Sequence, residues 1–257
     1  MALKYSFPFN ALKMKNRTKF FLSHLCISFL VAIIVISMVF VFWYPSPLSK
    51  AAGVTHIFFM LLVIDVILGP LLGLLVYKEG KKTLKIDLAV VILIQVAALC
   101  YGVYTIAQAR PVWIAFNSDK FELVRSNEIK TNEKKQIQPQ YQTPTWLRAK
   151  FVGIQQAVNP EEQQIEQMGA MLNGISLAQY PERYIPLEQV IEQMKTKAHA
   201  LSELSQWNSD IVVQQKIKAY PQATAWVPLE TYGLPMVVLI NKEKGEVIKI
   251  VDLRPWK

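Results

Sequence analysis

A run of twenty-two residues, His56 to Tyr77 (HIFFMLLVIDVILGPLLGLLVY), limits what this chain can fold into. About 20 apolar residues are what a helix needs to cross a hydrocarbon core of ~30 Å. Yet this run carries a carboxylate near its middle, Asp65, followed by Gly69, Pro70 and Gly73. A charge at that depth costs at least ~2.5–3.5 kcal/mol, so Asp65 is expected to face protein. Asp65, Gly69 and Gly73 fall at i, i+4 and i+8 on one helical face, and small residues there let another helix approach closely. Pro70 removes a backbone donor and predicts a kink. Two readings stay open for this face: bundle packing around one tolerated acid, or a working role for Asp65.

The charge distribution agrees with a membrane setting. The chain has a net charge of +9. Lys4, Lys13, Lys15, Arg17 and Lys19 precede the first apolar run, and Lys78, Lys81, Lys82 and Lys85 follow the second. Residues 110–257 hold 18 basic against 16 acidic groups, so no basic domain is left to bind nucleic acid. The two cysteines, Cys26 and Cys100, fall inside apolar runs at depths differing by ~15 Å at 1.5 Å per residue. They are expected to be buried apolar residues, not a disulfide.

Taken in order, residues 1–19 read as a basic cytoplasmic tail, surface-lying or disordered, with Phe7 and Phe9 free to touch lipid. Residues 20–43 form a first span. It ends in the aromatic belt Phe42-Trp43-Tyr44, which marks an uncleaved anchor and not a signal peptide. His24 is expected at headgroup level. Ser46–Thr55 reads as a short loop, followed by spans at about 56–77 and 84–106. The third span has a polar or small face through Val91, Gln95, Ala98 and Gly102. Asp65 and Gln95 both lie ~14 Å from the outer face, which suggests an interhelical pair. Basic residues number five, one and four in the tail, first loop and second loop. The positive-inside rule then makes the N-terminus cytoplasmic and residues 110–257 an outer, periplasmic domain.

That domain reads as a small α+β unit. Two short strands, 110–116 and 121–124, are joined by the turn 117–120, and a long polar loop fills 126–144. Helices start at Pro160 and Pro186, with Ile165, Met168 and Leu172 spaced along the first. The second is expected to run through Val190, Ile191, Met194, Ala198 and Leu201, and a third, shorter one starts at Ser209-Asp210. A terminal hairpin joins 236–240 to 247–251. No GxSxG, P-loop, HExxH or CxxC pattern occurs. His199 is the only histidine of the domain and reads as a half-exposed helix residue, while Glu161 and Glu162 serve a helix N-terminus. Trp146, Trp207, Trp226 and Trp256 suit core or interface positions, or partner anchoring. No enzyme activity, cofactor or metal is expected.

Trp43-Tyr44-Pro45, Gly53, His56, Asp65, Gly69-Pro70, Asp87, Gln95, Tyr101-Gly102 and Arg110-Pro111 carry a wider likeness. Over residues 42–125, and again in the terminal VVLINKEKGEVIKIVDLRPW, the chain resembles the TfpX/TfpZ family of type IV pilin accessory proteins. The resemblance implies an inner-membrane, pilin-specific chaperone or assembly factor. Its implied partners are a cognate type IV major pilin, the pilus assembly machinery of the inner membrane, and the bilayer itself. On this reading Asp65, Gly69, Pro70, Gly73 and Gln95 form either the pilin-helix contact or the bundle-packing face. Recognition of the pilin head would fall in 126–235. Two other classes stand beside it: a membrane-anchored envelope enzyme, which lacks an acid–base cluster, and a sensor with an outer ligand domain, whose 19-residue tail is too short for an output domain.

The basic counts make a direct prediction. A reporter active only in the periplasm should be active when fused after Lys257 and silent when fused at Gly80; the reverse pattern refutes the topology.

Overall fold

The computed structural model describes residues 16–131 and 136–256. Most of the basic tail, with Phe7 and Phe9, therefore lies outside the described residues, as do residues 132–135 of the polar loop. Helix α1 (Asn16–Ser37) runs on as a π-helical stretch, Met38–Trp43. One turn of helix follows, α2 (Leu48–Ala51). Then come α3 (Val54–Val63), a second π-helical stretch (Ile64–Leu68) and α4 (Gly69–Val76). Helix α5 covers Leu84–Gln108. The stretches 16–43, 54–76 and 84–108 are each long and apolar enough to cross a membrane.

The chain forms two compact units, one from residues up to Ile34 with Phe59–Gly102, the other from Val35–Phe58 with Val103 onward. In the first unit, three helices meet through small residues. A Cβ on Gly102 would lie 2.0 Å from Leu61 Cδ1, and one on Gly73 would lie 2.9 Å from the Phe20 ring. His24, expected at headgroup level, lies packed inside the helical unit. It is buried, tilted against Phe20 at 5.7 Å between ring centroids and close to Gly73. Cys26 and Cys100 are exposed on their helices, contrary to the buried positions expected, and they are unpaired. On α5, Ala98 is exposed, and Leu99 takes its place on the less exposed face with Val91, Gln95 and Gly102.

The second unit is a curled mixed sheet. In chain order its elements are β1 (Pro111–Asn117), β2 (Lys120–Arg125), α6 (Pro139–Gln142), β3 (Lys150–Ile154), α7 (Pro160–Asn173) and β4 (Tyr184–Ile185). After them come α8 (Ile191–Lys197), β5 (His199–Ala200), α9 (Asp210–Lys218), β6 (Ala225–Glu230), β7 (Met236–Asn241) and β8 (Glu246–Val251). The strand order is β4-β3-β1-β2-β6-β7-β8, with β5 paired to β6. Strands β1/β3 and β2/β6 are parallel and the other pairs antiparallel. Both faces are covered, so the central strands read as unbroken apolar runs. Along β1, Ile114 and Phe116 enter one core while Trp113 and Ala115 enter another, the period-2 alternation of a strand.

Sequence patterning missed β3 and β6. Pro228 argues against an interior strand because it cannot donate to a ladder. In β6 it is tolerated because β5 pairs only with Ala225 and Trp226, and β2 only with Leu229 and Glu230. The ladder on that side has a gap where the proline falls. The helix expected through Leu201 stops at Lys197. His199 is a strand residue stacked on Trp226, 4.6 Å between centroids and 24° between planes, with Nδ1 3.2 Å from Glu203. Helix α7 forms where expected and ends at Gly174, whose φ of +63° suits a residue without Cβ. Its Ile165, Met168 and Leu172 are exposed, not core.

The largest departure concerns Ser46–Thr55, read as a short loop. Leu48 and Ala51 are buried in the same core as Ile114, Phe121, Val227 and Val238. The Ala51 carbonyl accepts from Gly233 N at 3.1 Å, Leu234 N at 3.0 Å and Thr231 Oγ1 at 3.1 Å. Lys50 pairs with Asp252 at 2.5 Å. Trp43 and Tyr44 are buried too, and so do not form a lipid-facing belt. Trp43 packs edge-on to Trp146 at 5.7 Å, and the Tyr44 hydroxyl donates to the Ile106 carbonyl at 3.2 Å. A Cβ at Gly233 would sit 2.4 Å from the Ala51 oxygen, a backbone atom that cannot swing aside.

Leu48 therefore acts as a core residue of the sheet unit. Leu48→Ala should cost ~3 kcal/mol, within the range for buried leucines. The check is denaturant unfolding of the full chain in detergent, followed by tryptophan fluorescence. An unchanged midpoint would return the segment to the surface.

Candidate functional site

The cluster in the helical unit is built around the π-helical stretch Ile64–Leu68. A π-helical stretch bonds each carbonyl to the amide five residues on. From Asp65 that amide belongs to residue 70, a proline with no N–H. The carbonyl left without a donor is served from α5: Gln95 Nε2 donates to Asp65 O at 3.0 Å and also lies 3.0 Å from Ser28 Oγ of α1. One amide thus links all three helices. Gly69 makes the room for it, since a Cβ there would lie 2.1 Å from Gln95 Oε1. Gly69, Pro70 and Gly73 are buried, and Asp65 is half-buried with its carboxyl beside Gln95. Gly69 faces α5 and Gly73 faces α1, so both glycines are occupied by helices of the same chain. The expected Asp65–Gln95 pairing involves the Asp65 carbonyl, a bond that patterning of side chains alone does not suggest. Ser28 is not legible as a site residue in the sequence, because a single serine in an apolar run gives no signal.

The sheet unit holds a polar cleft of about 1000 Å³. The β1–β2 turn forms one wall, the stretch after β3 and the segment after α7 another, and the end of β6 closes it. Ser118 takes a φ of +59° at the tip of the turn. Side-chain amides fix the walls. Gln156 Nε2 donates to Asn117 Oδ1 at 2.8 Å, Asn117 Nδ2 to Glu122 Oε1 at 2.8 Å, and Gln193 Nε2 to the Ser118 carbonyl at 2.9 Å. Lys120 pairs with Glu230. Burial works against the Lys120 ammonium, but Glu230, with Glu122 and Asp119 near it, outweighs that and holds its pKa above the ordinary lysine value. Tyr232 closes one end with the Arg125 guanidinium 3.7 Å above its ring. Burial and the Glu128 carboxylate push its phenol up to about 12. No group of three or more metal-ligating side chains occurs among the described residues. The cleft offers amide donors and acceptors with one ion pair, which suits polar recognition.

A family model described as fimbrial assembly protein FimB matches residues 12–53, a stretch that takes in α1, the π-helical stretch after it and α2. A fimbrial assembly protein of serogroups C1 and C2 from Dichelobacter nodosus is 35% identical over 112 residues, 86% of that relative's length and 43% of this chain. The chain belongs to the fimbrial assembly protein family. Its likeness to other family members extends much further. The serogroup E1 protein of D. nodosus is 29% identical over 217 residues, and the serogroup I protein 28% over 216, each alignment covering 83% of both chains. No solved structure matches.

The geometry of the Gln95 amide predicts coupled substitutions. Gln95→Leu should lower stability by ~0.6–1.7 kcal/mol, the range for interhelical hydrogen bonds in membranes. Gly69→Ala should do so by expelling the same amide. The double variant should then be little worse than the worse single one, read as thermal unfolding in detergent. Additive losses would show that Gly69 and Gln95 act independently.

Proposed function

We propose that this fimbrial assembly family member is an inner-membrane accessory factor of the TfpX/TfpZ kind. It serves as a chaperone or assembly factor for one cognate type IV major pilin, alongside the pilus assembly machinery. The N-terminus is cytoplasmic and the sheet unit periplasmic. The reading is carried by the alignment over 83% of both chains with proteins named fimbrial assembly proteins. Three helices long and apolar enough to cross a membrane support the multi-pass placement, and the basic counts flanking them support the orientation.

The pilin contacts follow from which surfaces are taken. Gly69 and Gly73 are engaged within the bundle, so a pilin helix would meet the neighbouring edge of helix two. There Ile64, Leu68 and Leu72 are exposed beside half-buried Asp65. The pilin head would be recognised by the polar cleft and by the adjoining α7, with Ile165, Met168 and Leu172 exposed. Loops and clefts on a rigid sheet are where specificity resides. The role is one of binding and presentation without bond chemistry.

Exchanging residues 126–235 for those of a relative serving another pilin tests this. Piliation should switch to the new pilin with membrane insertion unchanged. Specificity that stays with the original pilin would assign recognition to the helices instead.

A further inference from the structure

Two adjoining clefts in the sheet unit lie apart from the polar cleft described above. The first, about 270 Å³, opens between the start of β3 and β8, over the Pro45–Leu48 segment; Ile114, Phe151, Val247 and Ile250 make it apolar. The second, about 200 Å³, shares Ser46, Pro47, Lys249 and Ile250 with it and reaches Lys216 and Lys50. The charges at their mouths are lopsided. Arg148, Lys249, Lys216 and Lys50 face a single carboxylate, Asp252, which already pairs with Lys50 and Arg254. Arg148, Lys249 and Lys216 have no ion-pair partner among the described residues.

The position of the clefts says what they meet. Ser46 lines both and is three residues beyond Trp43, where the first apolar helix ends. Three residues of chain span at most ~11 Å, so the mouth lies at headgroup distance from the end of that helix. A second loop reaches the same level. Trp146 packs on Trp43 yet is 57% exposed, and Leu147 beside it is 49% exposed. An exposed Trp-Leu pair followed by Arg148 is the pattern of an interfacial anchor, with the cation directed to the headgroups.

We propose that these clefts bind an anionic phospholipid. The headgroup phosphate sits among Arg148, Lys249 and Lys216, and the upper part of one acyl chain enters the apolar cleft between β3 and β8. The apolar cleft, about 270 Å³, is below the size of a site for a whole small ligand, so the rest of the lipid stays in the bilayer. Basic groups at a membrane surface select net negative lipid over zwitterionic lipid. The inference rests on the membrane placement proposed above, and the test separates the two.

Full-length protein is reconstituted into nanodiscs of phosphatidylcholine containing a minor fraction of phosphatidylglycerol, and retained lipid is read by native mass spectrometry after release. Wild type should retain phosphatidylglycerol well above its bulk fraction. Arg148→Gln/Lys249→Gln should reduce that enrichment about tenfold, and Lys78→Gln/Lys82→Gln, at the far end of helix two, should leave it in place. Excess inorganic phosphate should not compete. Enrichment that is equal in wild type and the Arg148/Lys249 variant overturns the proposal, and so does displacement by phosphate, which would make the site one for a soluble anion. Failure of the protein to enter nanodiscs at all would overturn the membrane placement and this inference with it.

Discussion

An apolar surrounding allows no unmet backbone hydrogen bond, and that constraint organises the helical unit. Pro70 has no amide to offer helix two, and the π-helical stretch before it brings the Asp65 carbonyl to a position that another helix serves. Gln95 serves it and touches Ser28 with the same amide. The π-helical stretch and the interhelical contact are therefore one feature. Gly69 follows as a requirement, because any larger residue would occupy the space of the Gln95 side chain.

The sheet unit shows the same logic with a different backbone group. The Ala51 carbonyl lies at the end of a single helical turn, where helices leave acceptors unfilled. Three donors of the 231–234 turn converge on it. Leu48 and Ala51 are then held in the core of a curled sheet whose strands are mostly supplied from residues more than sixty positions away. The fold of residues 110–256 is thus incomplete without the segment between the first two apolar helices. That dependence gives a physical reason for the FimB family model to match 12–53, which ends on this segment.

These two arrangements leave different surfaces open. The small-residue face of helix two is consumed by the bundle itself, which leaves its apolar edge exposed beside the half-buried carboxylate. The polar cleft is fixed by hydrogen bonds from the Gln156, Asn117 and Gln193 amides and by the Lys120–Glu230 pair. Its walls come mostly from short irregular segments, which can vary between relatives while the sheet beneath them stays the same.

Local sequence pattern was enough to place the three apolar helices, the β1–β2 and β7–β8 hairpins, helices α7 and α9, and the pairing of Asp65 with Gln95. Those features rest on local periodicity, turn chemistry and rise per residue, all of which act within a few turns. What tertiary structure decided was where unpaired groups find partners. Strand β6 exists because its neighbours leave a gap at Pro228, and His199 left its expected helix to pair beside Trp226. His24, Trp43 and Tyr44, which look like interfacial residues by position, are buried by packing partners that include Phe20 and Trp146. Ser46–Thr55 looks like a loop because its length and polarity are those of one. Only the distant 231–234 turn, arriving with three donors for one carbonyl, makes it core.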